Sequence, residues 1–113
     1  MKTFDNIGHC IFCKIALGEA SCEKIYEDDY TIAFLSIEPE QPGHTLVIPK
    51  SHVENILDCP ADVLGYTISI VQSIAQKQIA SGAQAVKIVQ NNRSPLQQVS
   101  HLHFHVIPYG GSK

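Results

Sequence analysis

The pattern of apolar and polar positions predicts short strands on either side of one long helix. Segments rich in apolar and β-branched residues predict five strands, over residues 23–28, 30–37, 44–49, 83–90 and 99–107. Pro39, Pro42 and Gly43 interrupt the chain between the second and third strands, so we expect a loop there. A polar segment over residues 91–98 predicts a second loop before the last strand.

The predicted helix lies between the third and fourth strands. Apolar residues recur there every three or four positions and form one stripe: Leu64, Ile68, Val71, Ala75 and Ile79. Asp62 is near the start of this helix and Gly82 is near its end. A short helix or turn is expected over residues 10–20, ended by Gly18. This order predicts an α+β fold, an antiparallel sheet of about five strands with the long helix packed on one face.

The composition is that of one globular domain over residues 1–113. Eight basic residues against eleven acidic residues give a net charge of −3, which argues against nucleic acid as the partner. Asp5, Asn6 and His9 interrupt the N-terminal segment where a signal peptide needs an apolar run. No apolar stretch has the length of a membrane span. We therefore expect a cytoplasmic protein that binds neither nucleic acid nor membrane.

Three histidines alternate with apolar residues in the last predicted strand: His101, His103 and His105. In a strand, residues two apart point to the same face, so these imidazoles would form a row. Each step of the row is about 7 Å, whereas zinc–imidazole bonds are about 2.1 Å long. Two neighbours can share one metal, but a straight strand cannot easily bring all three to it. A metal site, a nucleophile, a pH switch and a solvated face all remain possible, and the row is expected to be divided between tasks.

A Cys-x-x-Cys motif near the N-terminus, Cys10 and Cys13, supplies half of a structural zinc site. In a reducing compartment these thiols are expected to be free or metal-bound rather than joined in a disulfide. No second motif of this kind follows, so the other two ligands must come from distant positions. Cys22 and Cys59 have no evident partner in the sequence.

Taken together, these motifs resemble the histidine triad (HIT) family of nucleotide-binding hydrolases and transferases. The resemblance rests on three segments in the family's order and spacing: CIFCKIALGE, KIYEDDYTIAFLSIEPEQPGHTLVIPKSH and HLHFHVIP. It implies a HIT-like fold that forms a homodimer across the long helix and a sheet edge. It also implies cleavage at the α-phosphorus of a purine nucleotide derivative, such as a nucleoside phosphoramidate, an adenylated group or a dinucleoside polyphosphate.

The resemblance implies a role for each residue that matches the family pattern. His103 would be the nucleophile that forms a covalent nucleotidyl intermediate, and His105 would bind the phosphate oxygens. The implied catalytic triad is His101, His103 and His105. The implied phosphate ligands are His44, Asn91, Gln97, Gln98 and His105. The implied nucleoside slot is formed by Phe12, Ile15, Ser36, Ile37 and Leu46. The implied ligands of a structural Zn²⁺ are Cys10, Cys13, His52 and His101, which make a closed site.

The chain departs from the family pattern at several positions, one of which is Gln90, where asparagine is usual. Two others bear on ligand contacts. Ser36 stands where the family has an acid that binds the ribose, and a hydroxyl makes only a single, weaker contact. Leu96 stands where glycine is usual, so its side chain would narrow the phosphate site. Because of these departures, an alternative interpretation remains open, in which the protein is a nucleotide-binding module with little or no turnover. A third interpretation places His101 and His103 on a catalytic zinc, but it leaves the Cys-x-x-Cys motif without a role.

Overall fold

Residues 10–111 are described by a computed structural model of the chain, and they form two helices and five strands. In chain order these are α1 (Ile11–Ala16), β1 (Lys24–Glu27), β2 (Thr31–Leu35), β3 (Thr45–Pro49), α2 (Ala61–Ala80), β4 (Ala85–Val89) and β5 (Phe104–Tyr109). The strands form one sheet in the order β1-β2-β3-β5-β4, and all neighbouring strands run antiparallel. The predicted α+β class and five-stranded antiparallel sheet are confirmed.

Side-chain alternation along the strands divides the core between the two faces of the sheet. One cluster packs against α1 and contains Cys10, Phe12, Cys13, Ile15, Ile32, Phe34, Leu46 and Ile48. The other packs against α2 and contains Ala33, Val47, Val71, Ile74, Leu102, Phe104 and Val106. Because neighbours along β2 and β3 alternate between these clusters, each strand residue has a fixed face. We call the two sides of the sheet the α1 face and the α2 face.

Both helices end where the sequence places a glycine. Gly18 follows α1 with φ +80° and Gly82 follows α2 with φ +117°, a backbone region that glycine adopts at little cost. Asp62 lies in the first turn of α2, as predicted, and its negative charge is favourable at that end of a helix. Within residues 10–111, no helix combines the length and apolar character that crossing a bilayer requires.

The last strand begins later than the sequence predicts. β5 spans Phe104–Tyr109, whereas the apolar alternation predicted residues 99–107. The residues before it do not pair in the sheet, and the backbone N–H of Leu102 donates at 2.8 Å to the carbonyl of Val53, which lies outside the strands. Alternation of side chains in this segment therefore identifies the buried face correctly but does not identify a paired strand.

The apolar residues between the histidines nevertheless point to the α2 face. Leu102 and Val106 are fully buried there, and Phe104 is 6 % exposed. Of the three alternating histidines, only His105 lies inside β5, where it pairs opposite Leu46 of β3. The histidines consequently face the α1 side of the sheet, as the alternation predicted.

The apolar stripe predicted on α2 is partly wrong. Ile68 and Ile79 are 44 % and 48 % exposed, so they lie outside the core. The buried face is centred instead on Thr67, Val71 and Ile74. Thr67 can be buried because its hydroxyl donates to the carbonyl of Val63 at 2.8 Å, which satisfies its polar atom within the helix.

Replacing Ile32 by alanine is expected to destabilise the protein by roughly 2–5 kcal/mol, as is usual for such truncations in packed cores. Ile32 is 1 % exposed in β2, so the substitution leaves a cavity on the α1 face. The matched control is Ile25→Ala in the neighbouring strand, where the side chain is 46 % exposed. That change should cost about 1 kcal/mol or less. Urea unfolding measures both free energies, and equal losses would contradict this description of the core.

Candidate functional site

A cleft of about 430 Å³ opens on the α1 face of the sheet, within the roughly 300–1,000 Å³ range of small-molecule sites. It lies between α1, the loop after β2 and the segment that leads into β5. Most of the residues predicted to act in catalysis or to bind phosphate or nucleoside line it: Phe12, Ile15, Ser36, Ile37, Leu46, Asn91, Gln98, His103 and His105. The cleft therefore joins imidazoles and polar loop residues to an apolar slot.

His103 is held in one orientation and one tautomer. Its Nδ1 lies 2.7 Å from the carbonyl oxygen of His101. Because a carbonyl only accepts hydrogen bonds, Nδ1 of the neutral ring carries the proton and Nε2 keeps a lone pair. The ring of Phe12 meets the imidazole edge-on, with centroids 5.1 Å apart. His103 thus lines the cleft with a fixed ring whose Nε2 is available as a nucleophile.

His105 is fixed by a relay of hydrogen bonds that begins at the backbone of Glu40. The Glu40 N–H donates to Nδ1 of His44 at 3.0 Å, so Nε2 of neutral His44 carries the proton. That nitrogen lies 2.9 Å from Nδ1 of His105 and donates to it. The remaining nitrogen of His105, Nε2, must then be protonated and can donate to a ligand. His44, predicted to contact phosphate, contacts His105 instead of lining the cleft.

Burial keeps these imidazoles uncharged. It lowers the pKa of His44 and of His103 below the ordinary histidine value. It lowers the pKa of His105 to about 4, and the neighbouring imidazoles act in the same direction. The carboxylate of Glu40 opposes this shift at His44 and His105 without overcoming it. At neutral pH the rings are therefore neutral, and the tautomers set by their hydrogen bonds are the populated ones.

The two thiols of the Cys-x-x-Cys motif converge with two imidazoles in a second cluster: Cys10, Cys13, His52 and His101. The Sγ atom of Cys13 lies 3.1 Å from Nδ1 of His52 and 3.4 Å from Nδ1 of His101. The Sγ atom of Cys10 lies 3.3 Å from Nδ1 of His101. Tetrahedral zinc, with bonds of ~2.3 Å to sulfur and ~2.1 Å to nitrogen, would place such atoms about 3.6 Å apart. The four predicted metal ligands are thus brought together at nearly this spacing.

The surroundings of the cluster also suit a metal. Nε2 of His101 lies 2.8 Å from the carbonyl of Pro49 and donates to it, which leaves Nδ1 unprotonated and directed at both thiols. Burial and the neighbouring Cys10 raise the pKa of Cys13 to about 12, so thiolates there require a cation. Two sulfurs and two nitrogens form a complete tetrahedral set for Zn²⁺. His103 is not part of this set, which disfavours the interpretation with a catalytic zinc.

Gln97, predicted as a phosphate ligand, does not line the cleft. Its Nε2 donates to the carbonyls of Glu54 at 2.5 Å and of Val99 at 2.9 Å. Its Oε1 accepts from the side chain of Asn55 at 3.3 Å and from the backbone N–H of Arg93 at 2.8 Å. Because all its polar groups are used within the protein, Gln97 shapes the loop that carries Asn91 and Gln98 and makes no direct contact in the cleft.

The sequence reasoning missed three contributors to the site. Two are backbone groups, the carbonyl of Pro49 and the N–H of Glu40, and no side-chain pattern identifies such groups. The third is Glu38, which lines the cleft. Its backbone N–H donates to the hydroxyl of Ser36 at 3.1 Å, a local turn that the Ser-x-Glu spacing over residues 36–38 could have indicated.

The HIT domain family matches residues 17–111. An uncharacterized HIT-like protein of Methanocaldococcus jannaschii is 44 % identical over 100 residues, which cover 88 % of this chain and 78 % of that protein. Adenosine 5′-monophosphoramidase hnt1 of Schizosaccharomyces pombe is 38 % identical over 100 residues, which cover 88 % of this chain and 73 % of that protein. A crystal structure of a Zn-bound histidine triad family protein from Mycobacterium smegmatis superposes on this chain with a TM-score of 0.85 at 34 % sequence identity. The superposition covers 91 % of this chain and 76 % of that protein. With its alternating histidines and its Cys-x-x-Cys cluster, the chain belongs to the histidine triad (HIT) family, in the branch with a zinc-type cluster.

Proposed function

We propose that this protein is a nucleotide hydrolase that cleaves a purine nucleotide derivative at its α-phosphorus through a covalent intermediate on His103. The observation that carries the proposal is the tautomer of His103, since the hydrogen bond from Nδ1 to the carbonyl of His101 leaves Nε2 as a neutral nucleophile. The similarity to an adenosine 5′-monophosphoramidase supports a nucleoside phosphoramidate as the substrate.

The proposed reaction has two displacements at phosphorus. Nε2 of His103 forms a bond to the α-phosphorus while the bond to the leaving group breaks, and the leaving group takes up a proton from solvent as it departs. A water oxygen then bonds to phosphorus as the phosphorus–nitrogen bond to His103 breaks. The products are the nucleoside monophosphate and the free neutral imidazole, and the water's remaining proton is released to solvent.

His105 is proposed to stabilise the phosphate oxygens during both displacements. Its protonated Nε2 is a donor whose orientation the relay from Glu40 through His44 fixes before substrate binds. His44 therefore acts through His105 rather than on the phosphate itself. Asn91 and Gln98, which line the same cleft, are proposed to supply further donors to the phosphate.

The nucleoside is proposed to occupy the apolar part of the cleft. Phe12, Ile15 and Leu46 are each less than 9 % exposed and form its floor. Ile37 is 95 % exposed on the loop after β2 and would cover one side of the base, because binding would remove its apolar surface from water.

Zn²⁺ is proposed to have a structural role, with Cys10, Cys13, His52 and His101 as its ligands. A metal bound by four protein groups has no open position for substrate and contributes folding energy. His101 then positions the nucleophile only through its backbone carbonyl.

Replacing His103 by alanine is expected to lower kcat for adenosine 5′-phosphoramidate by about 10³-fold or more, because the nucleophile is lost. Rapid acid quenching followed by intact-mass measurement should show a nucleotidyl adduct on the wild type and none on this variant. His105→Ala is the matched comparison, and it should still form the adduct while losing roughly 10²-fold in kcat. Comparable turnover by wild type and His103→Ala would contradict the mechanism. Tight nucleotide binding without turnover by the wild type would favour a binding module.

Removing the metal is expected to lower stability without a proportional loss of turnover. About 1 kcal/mol shifts the Tm of a domain of about 100 residues by roughly 4–8 °C, so losing several kcal/mol of metal binding should lower it by 10 °C or more. Cys13→Ser should lose bound zinc, measured by mass spectrometry of the metal, and show this fall in Tm. Cys59→Ser, outside the cluster, is the control. Turnover that disappears at low temperature while the protein is still folded would contradict a structural role.

The proposed partner is a second copy of this chain, bound on the α2 face. An apolar groove runs between α2 and the edge strand β4, lined by Ile68, Val71, Ala75, Ile79, Val86, Ile88 and Phe104 together with Gln72 and Gln76. Ile88 is 50 % exposed on β4, a strand that pairs only with β5. A twofold contact here would cover the exposed isoleucines and the open strand edge together.

The dimer predicts that Ile68→Glu converts the protein to a monomer, because a charge would be buried in the contact without a partner. Sedimentation velocity gives the mass of wild type and variant. Ile25→Glu, on the strand at the opposite edge of the sheet and 46 % exposed, is the matched control and should leave the mass unchanged. A wild type that sediments as a monomer at micromolar concentration would refute the dimer.

A further inference from the structure

Among the described residues that line the cleft, Glu38 is the only one with a carboxylate. The proposed function, on which this inference rests, gives it no task. We propose that Glu38 selects the sugar of the substrate by accepting hydrogen bonds from the vicinal hydroxyls of a ribose. It would thereby be the residue that distinguishes ribonucleotide derivatives from those that lack these hydroxyls.

The backbone places Glu38 at the wall of the cleft. The N–H of Ser36 donates to the carbonyl of His44 at 2.9 Å, and beyond this bond the chain leaves the sheet. The hydroxyl of Ser36 then accepts the N–H of Glu38 at 3.1 Å. Glu38 and Ile37 line the same cleft, which places Glu38 at the apolar slot in which the nucleoside is proposed to lie.

The charges around the cleft limit what Glu38 can bind. A phosphate held by His103 and His105 is anionic, so a carboxylate in contact with it would be repelled. Glu40 is the carboxylate whose charge acts on the imidazoles of His44 and His105. A ligand group that carries hydroxyl donors suits Glu38 better than a phosphate does.

The two acidic residues of this loop also differ in their partners. The carboxylate of Glu40 accepts from Lys87 at 2.6 Å and from the hydroxyl of Tyr109, and so it is already engaged. Within residues 10–111, no side-chain hydrogen bond or ion pair of the Glu38 carboxylate is found. An exposed acceptor of this kind is available to a ligand.

The part of a nucleotide that matches such an acceptor is its sugar. A base in the apolar slot is held mainly by contact with apolar side chains, whereas a ribose presents two adjacent hydroxyl donors. One carboxylate can accept from both at once, and hydrogen bonds to a charged acceptor are about twice as strong as neutral ones. Ser36, whose hydroxyl already accepts the Glu38 N–H, then acts as a positioning residue for Glu38 instead of as the main sugar contact.

The experiment compares adenosine 5′-phosphoramidate with its 2′,3′-dideoxy analogue. For the wild type, kcat/KM should favour the ribose substrate by about tenfold or more, the effect of one to two charge-assisted hydrogen bonds. Glu38→Ala should reduce this preference to about two-fold or less, mainly by raising KM for the ribose substrate. Glu38→Gln, which keeps a neutral acceptor, should give an intermediate preference. Glu19→Ala removes an exposed glutamate outside the cleft and should leave the preference intact.

A preference that is unchanged in Glu38→Ala, or an equal loss on both substrates, would overturn the assignment of Glu38 to the sugar. Titration calorimetry with adenosine 5′-monophosphate and its dideoxy analogue separates this outcome from failure of the proposed function. The assignment is supported if the wild type binds adenosine 5′-monophosphate more tightly than the dideoxy analogue and Glu38→Ala loses this difference in affinity. This holds even if neither phosphoramidate is turned over. Equal binding of both nucleotides by the wild type would refute it.

Discussion

The two-residue alternation over residues 101–106 is the constraint on which the rest of the site depends. Leu102, Phe104 and Val106 are locked into the α2-face core, so the histidines between them must face the other side. A shift of register by one residue would place the imidazoles in the apolar core under α2 and move the apolar side chains to the side of the cleft and the Cys/His cluster. The large free-energy cost of that exchange fixes the position of His103 without any contribution from a ligand.

Backbone groups then give each imidazole a separate chemical state. The carbonyl of Pro49 keeps Nε2 of His101 protonated, and the carbonyl of His101 keeps Nδ1 of His103 protonated. The N–H of Glu40 donates to Nδ1 of His44, so this nitrogen is unprotonated. As a result, His101 presents a lone pair to the thiols and His103 presents one to the cleft. At the end of the relay His105 presents a proton. Burial lowers the pKa of His101 and His105 to about 4, so these states persist at neutral pH.

The sequence predicted the fold and brought together most of the residues that line the cleft, because its periodic signals report burial. Alternation indicates which face is buried, but it does not report pairing. Before β5 the backbone N–H of Leu102 bonds to the carbonyl of Val53 and not to a neighbouring strand. The same limit applies to α2. Thr67 is buried because its hydroxyl bonds within the helix, whereas Ile68, which the apolar stripe predicted to be buried, is exposed. The role of His44 could not be predicted from its residue type, because it depends on which atom lies within 3 Å of its ring.

The Cys/His cluster and His103 are neighbours, and Phe12 connects them. Its ring contacts the imidazole of His101 at 6.0 Å and that of His103 at 5.1 Å between centroids. Phe12 lies between the two cysteines of the motif, on a helix in which the Sγ atom of Cys10 accepts the N–H of Cys13 at 3.3 Å. A metal held by these cysteines would stabilise α1 and with it the position of Phe12 at one wall of the cleft. The cluster and His103 are thus connected by packing and by the carbonyl of His101, although four protein ligands would leave no position at which a substrate could reach a metal there.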